Sequence, residues 1–380
     1  MSKKIICILL ICSFIPILSG CWSYKALNEL AIVAGIAIDK DEGTGNYKVT
    51  FETIDVSGSL KESGAKPQII ESEGVTLFDA FRNTKKRVAT KLFYGDTQLV
   101  ILSNQLARQE GVAFIIDFFI RDSEPRETLN VIISRGNTAK SLLTNTGISS
   151  KLVSFEGNKI IESDEKTISS SLDIKLYELY NRLKSPGAGV VLPVFNQTMN
   201  NGKPANSSDG LALFKDAHLI GYLSSEETKY YLFAIDKIKG GLLPFDATGD
   251  GTENATLEIS RNKTKIDLKY ENNKVKAIIE PSTFVFLGEL NCYTPDLDYN
   301  ELKKIEEKAI KKLTVNIKNV IEKAQKEYKT DIFGFGNMFY KKNPKMWNQI
   351  SGEWESLFED MEVEVKPQIK IVNSVYSKKT

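Results

Sequence analysis

The chain has 380 residues, 50 of them basic and 49 acidic, one histidine, and a formal net charge of +1. Charge this evenly balanced argues against nucleic acid as a general partner. A lone histidine excludes a two-histidine metal site, and any Ser-His-Asp triad would have to be built on His218. The length exceeds what one core usually covers, so two or three domains are expected.

Residues 1–20 read as a signal segment: Lys3 and Lys4, an apolar run from Ile5 to Leu18, then the small Ser19 and Gly20. The run is short for a transmembrane helix, and Pro16 weakens it further. Leu18-Ser19-Gly20-Cys21 resembles a bacterial lipobox, in which the cysteine sulfur receives a diacylglycerol and the peptide is cut before it. An ordinary signal peptide ending in cysteine and an uncleaved anchor are the alternatives at this point. Cleavage leaves 48 basic against 49 acidic residues, because Lys3 and Lys4 depart. Cys7 and Cys12 leave too; with Cys21 acylated, Cys292 stands alone and no intramolecular disulfide is expected.

From Leu30, two β-rich runs flank the turn DKDEGTGN and predict an antiparallel hairpin. QIIESEG predicts a short strand and Thr76 to Thr90 a helix, with Leu77, Phe81, Val88 and Leu92 near one face. TQLVILS and TLNVIIS predict buried strands on either side of a helical QLARQEGVAFIIDFFIRDSEPR. A short helix in TAKSLLTN, a longer one from Thr167 to Lys184, and the strand GVVLPVF complete the N-terminal part. Alternating strands and helices with an opening hairpin argue for a mixed α/β unit over 21–195. Residues 196–210 are polar and rich in Asn, Ser and Gly, and read as a linker.

Residues 211–376 change in texture. GLALFKDAHLIGYLS predicts a hairpin with His218 in its turn, and Ser224 with Glu227 forms a capping box. Three or four strands follow up to Leu290. Asp298 with Glu301 opens a helix of about thirty residues, through 329, with Leu302, Ile305, Ala309, Leu313, Ile317, Val320, Ala324 and Tyr328 on one face. Its nine lysines from Lys303 to Lys329, interspersed with Glu and Asn, predict a solvated face. Asp331-Ile-Phe-Gly-Phe-Gly336 closes the helix, and Trp347 and Trp354, seven residues apart, read as a packing staple.

Chemistry-bearing motifs are few. Asp246 to Glu253 lacks the ligand spacing of an EF-hand, and Gly187-Ala-Gly-Val-Val191 precedes a strand, which no dinucleotide fingerprint does. Arg121, Asp122, Glu124 and Arg126 follow directly on FIIDFFI, and Pro125 stops the helix there. These four charges are either a partner-facing cluster or a helix end stitched by local ion pairs.

Taken together, GCW…LNELAIVAGIAID, EGVTLFDAFRNTKKRVATKLFYGDTQLVILSNQLARQEGV, RDSEPR and DIFGFG with the two tryptophans resemble the Ger(x)C family. These are the lipoprotein C subunits of spore nutrient germinant receptors. The resemblance runs from Cys21 to about Val375. It implies a non-enzymatic, cofactor-free α+β ectodomain of consecutive sheet-plus-helix domains, lipidated at Cys21 on the outer face of the spore inner membrane. It implies assembly with an A subunit and a transporter-like B subunit, both integral membrane proteins. Family members often carry a histidine after YWG; here Phe93-Tyr94-Gly95 is followed by Asp96. A solute-binding lipoprotein of an importer is the alternative, and it should show two similar lobes.

Overall fold

The computed structural model describes residues 29–55, 66–136, 138–145, 147–291 and 298–374. Cys21 and Cys292 lie outside them.

Strands β1 (Leu30–Lys40) and β2 (Tyr47–Asp55) form the expected hairpin, and β3 (Lys66–Gly74) pairs outside β2. The predicted helix after β3 is shorter than expected: α1 (Leu77–Asn83) is capped by Thr76, gives one tight turn, and stops before β4 (Lys91–Phe93). Strand β5 (Leu99–Ser103) pairs parallel to β1. The helical stretch that follows is broken into α2 (Asn104–Gln109) and α3 (Ala113–Arg121). The break is at Gly111, with φ +76, where any Cβ would stand 2.7 Å from the Ala217 carbonyl oxygen.

Strand β6 (Asn130–Ser134) pairs parallel to β5 and is followed by α4 (Ala139–Leu143). Of the helix expected over Thr167–Lys184 only α6 (Leu176–Lys184) forms, and an unexpected helix, α5 (Val153–Thr167), precedes it. Ser169, at φ 58, falls between them, and the Asp164 carboxylate accepts the Ser170 N–H at 2.7 Å. A short polar side chain that bonds nearby backbone competes with helix there.

The linker expected over 196–210 is a correction. Strand β7 (Val190–Asn200) runs into β8 (Lys203–Lys215) through Asn201-Gly202, both at positive φ, and β9 (His218–Leu223) follows. Asn-Gly is the dipeptide that a two-residue hairpin turn demands. Among the described residues, nine strands form this first sheet in the order β3-β2-β1-β5-β6-β7-β8-β9, with β4 beside the start of β1. Val100 and Leu102 of β5 face one core and Leu99 and Ile101 the other, so the central strand is buried on both sides.

Helix α7 (Ser225–Ala234) carries the predicted capping box, and Tyr230 to Ala234 are all buried. A helical turn apolar all round belongs between layers, and this second half of α7 lies between the first sheet and the second. The second sheet holds β10 (Leu242–Phe245), β11 (Ala255–Glu271), β12 (Lys274–Leu290), β13 (Glu362–Val365) and β14 (Gln368–Ser374). The three or four strands expected up to Leu290 are two 17-residue strands, β11 and β12, joined at Asn272-Asn273.

Helix α8 (Tyr299–Lys323) continues through a wider π-type turn to Tyr328, close to the expected thirty residues. Asp298 caps it, but the Glu301 carboxylate bonds Lys304 at 2.7 Å. Ile305, Ala309, Leu313, Ile317 and Val320 are buried, as their spacing predicts. Helices α9 (Phe335–Lys342), α10 (Pro344–Ile350) and α11 (Trp354–Glu359) close the chain before β13. Trp347 and Trp354 fall on two helices, not one, yet their rings meet at 5.4 Å. The predicted staple is made across a bend.

Candidate partner interface

Helix α3 is driven by Ile115, Ile116 and Phe119, which are buried against the sheet. Pro125 forbids its continuation, Asp122 turns to extended backbone, and its N–H still reaches the Phe118 carbonyl at 3.3 Å. The four charges singled out in the sequence therefore stand at one end of the first sheet, each with a different task. Glu124 points inward: one oxygen bonds Lys91 Nζ at 2.6 Å and the other accepts the Tyr94 N–H at 3.2 Å. Asp122 folds the turn by accepting the Glu124 N–H at 3.0 Å. Arg121 pairs along its own helix with Asp117 at 2.7 Å, and Arg126 reaches Asp96 at 2.9 Å.

Glu124 is 23% exposed, whereas Arg121 is 78% and Arg126 65% exposed. The inner pair fastens the helix end to the loop after β4; the outer pairs form an exposed rim of alternating charge. Behind the rim, Phe81 packs against Phe51, Tyr94 and Phe118 at 5.1, 5.5 and 4.9 Å. Burial, and then the Glu124 charge, push the Tyr94 phenol well above its ordinary pKa, so it stays neutral. The rim thus stands on a rigid aromatic base. Sequence reasoning named the four charges but missed Lys91, Asp96 and Asp117; the unusual Asp96 after Phe93-Tyr94-Gly95 was the available signal.

The opposite end of the sheet holds an open cleft of about 960 Å³ at the carboxyl ends of β1, β5 and β6. Within it Lys48 pairs with Asp41 and Lys140 with Glu71, while the buried Asp39 accepts the backbone N–H groups of Ala139 and Lys140 at 2.7 and 2.9 Å. His218 is exposed and its Nδ1 stands 2.9 Å from the Asp216 carbonyl. Asp246 accepts backbone N–H groups from Thr248, Gly249 and Gly251, which hold its carboxyl below the usual range and close a self-contained turn. Among the described residues no group of three His, Cys, Asp or Glu side chains could hold a metal, and no helix is long and apolar enough to cross a membrane.

A third place joins the two sheets. Asp331, buried, accepts the N–H groups of Phe333, Gly334 and Gly336 at 3.1, 2.9 and 2.8 Å and faces Trp354 Nε1 at 3.3 Å. Its carbonyl takes the Gly189 N–H at 2.7 Å, and the Ile332 carbonyl takes Arg182 and Tyr231. The glycines at 187 and 189 serve this close approach, not a phosphate.

Two family descriptions match the chain: "Spore germination protein N-terminal domain" over residues 23–197 and "Spore germination B3/GerAC like, C-terminal" over 209–375. Similar curated proteins come from Bacillus subtilis (strain 168). Spore germination protein KC is 25% identical, covering 97% of this chain and 95% of its own. Spore germination protein B3 is 27% identical with 94% of each chain covered, and spore germination protein A3 26% with 97% of each. The crystal structure of the GerBC protein superposes with a TM-score of 0.56 at 24% identity, over 89% of this chain and 97% of that one.

Proposed function

We propose that this chain, which belongs to the spore germination B3/GerAC-like family, is the lipid-anchored C subunit of a spore germinant receptor. The carrying observation is its likeness to named spore germination proteins along almost the whole of both chains. In this reading Cys21 is acylated and holds the ectodomain on the extracytoplasmic face of the spore inner membrane. More than one acyl chain suits such a role, since one alone binds only marginally. The subunit is non-enzymatic. It acts by contact with the integral membrane A and B subunits, and Arg121, Asp122, Glu124 and Arg126 belong to a contact surface. The paired charges at the cleft and the self-satisfied turn at Asp246 support contact over catalysis. The importer alternative calls for two similar lobes, and the two sheets differ in strand number, nine against five among the described residues.

The test is Cys21→Ala in the sporulating cell. Release from the membrane fraction together with a loss of nutrient-triggered germination is expected; retention with a normal response would remove the anchor from this reading.

A further inference from the structure

We infer that the end of the first sheet bearing Asp96, Arg121 and Arg126 faces the bilayer and meets a membrane-embedded protein there, not lipid headgroups. The inference rests on acylation of Cys21. Lys91, which holds Glu124, is in parallel register with Leu30, the first residue of β1. The rim therefore begins one strand away from the point where the tether enters the fold. Cys21 precedes Leu30 by nine residues, and nine extended residues span at most about 30 Å.

The far end is out of reach of such a tether when the sheet stands upright. Ile38 is level with Leu102, Leu102 with Ile133, and Ile133 with Val194 across the parallel strands. From Leu30 to that level is eight residues, and Met199 near the β7–β8 tip lies five beyond it. At the usual rise of 3.3 Å, thirteen residues separate the two ends by roughly 43 Å. An inverted sheet would need a tether longer than the one present.

Charge then decides what the rim meets. Lys91, Arg121 and Arg126 are matched by Glu124, Asp117 and Asp96, so these pairs carry no net charge to draw the rim to anionic lipid. Exposed pairs of both signs suit polar loops of a protein, whose own charges can exchange with them and fix register.

The mature acylated protein, with Cys292→Ser and one new thiol at Ser123→Cys or Met199→Cys, can be labelled and placed in phosphatidylcholine vesicles carrying a headgroup energy-transfer acceptor. Transfer from Ser123→Cys should exceed that from Met199→Cys several-fold; equal or reversed transfer overturns the orientation. Replacing a third of the lipid with phosphatidylglycerol should leave both signals unchanged. A rise at Ser123→Cys that salt abolishes would make the rim a lipid-binding surface and overturn the partner assignment. In spore membranes, a photo-crosslinker at position 123 should capture an integral membrane protein that the same group at 199 does not; no such difference also overturns it. Cys21→Ala protein that still binds vesicles would remove the tether itself, a failure distinct from equal transfer by anchored protein.

Discussion

The backbone N–H of Ser154 donates to the carboxylate of Glu52 at 2.9 Å, across 102 residues of chain. Val153 N–H takes the other carboxylate oxygen at 2.7 Å, so a side chain of β2 supplies the cap that Leu152 cannot give α5. Glu52 is 1% exposed. Burial pushes its carboxyl up while the three donors of Val153 and Ser154 pull it down, with burial winning. Glu52→Gln must turn an amide NH2 toward one of those donors and leave it unpaired. An unpaired buried donor costs about 1–3 kcal/mol. The expected outcome is a lower urea midpoint with unchanged strand content by circular dichroism. An unchanged midpoint would mean that the cap does not hold α5.

Asp331 gives a pH signature. Burial pushes its carboxyl to about 6, against the opposing pull of the N–H groups of Gly336, Phe335 and Gly334 and of Arg182. The folded value lies above the unfolded one, so its contribution to stability is fully present below pH 3.8 and is lost as pH rises through about 6. Other carboxylates titrate in the same range, so the useful quantity is the difference between wild type and Asp331→Asn. That difference, from urea unfolding at successive pH values, should shrink between pH 4 and 6 and level off above 7. A difference that grows with pH would show the carboxylate to be stabilised by its donors more than it is penalised by burial.

At the same junction, Gly187 has φ +60, and an added Cβ would stand 2.5 Å from the Trp347 ring and 3.0 Å from Gly336 Cα. Gly187→Ala therefore combines left-handed strain of about 1 kcal/mol with overpacking of about 1–3 kcal/mol. Gly202→Ala is the control: φ is +76, but nothing lies within 4 Å. Thermal unfolding should fall markedly for the first and only slightly for the second, with altered tryptophan emission only in the first. Equal losses would reduce Gly187 to a matter of backbone conformation alone.

The sequence was most readable where one face of an element is dry. Helix α8 has an apolar stripe at three- and four-residue spacing, and β5 an unbroken apolar centre; both are where periodicity put them. The segment 196–210 was misread because the outer ends of β7 and β8 project past the neighbouring strands. Residues 197–200 are exposed on both faces, so no alternation marks them, and only Asn201-Gly202 betrayed the hairpin. Helix α5 was missed for a related reason: its buried set includes Ser154, Glu156, Asp164 and Glu165, polar residues that a hydrophobic pattern discounts. The four charges of the rim were legible as a cluster. Their partners Lys91 and Asp96, about thirty residues upstream, are brought to them only by parallel pairing, which local sequence does not encode.

The Arg126–Asp96 pair separates fold from contact. Both side chains are largely exposed, at 65% and 41%, and such pairs contribute at most about 1 kcal/mol. Arg126→Ala and Asp96→Ala should therefore leave the unfolding midpoint within error of wild type. Lys91→Ala is different, because it uncovers the part-buried Glu124 that also holds the Tyr94 N–H, and it should lower the midpoint measurably. If the rim meets a membrane-embedded partner, Arg126→Ala and Asp96→Ala should each reduce co-purification of integral membrane proteins with the tagged chain from spore membranes. The charge-swapped double variant Arg126→Asp with Asp96→Arg restores the pair but reverses what a partner meets. It should fold normally and still fail to assemble. Full assembly of the swapped protein would reduce the pair to an internal stitch and leave the contact to other residues.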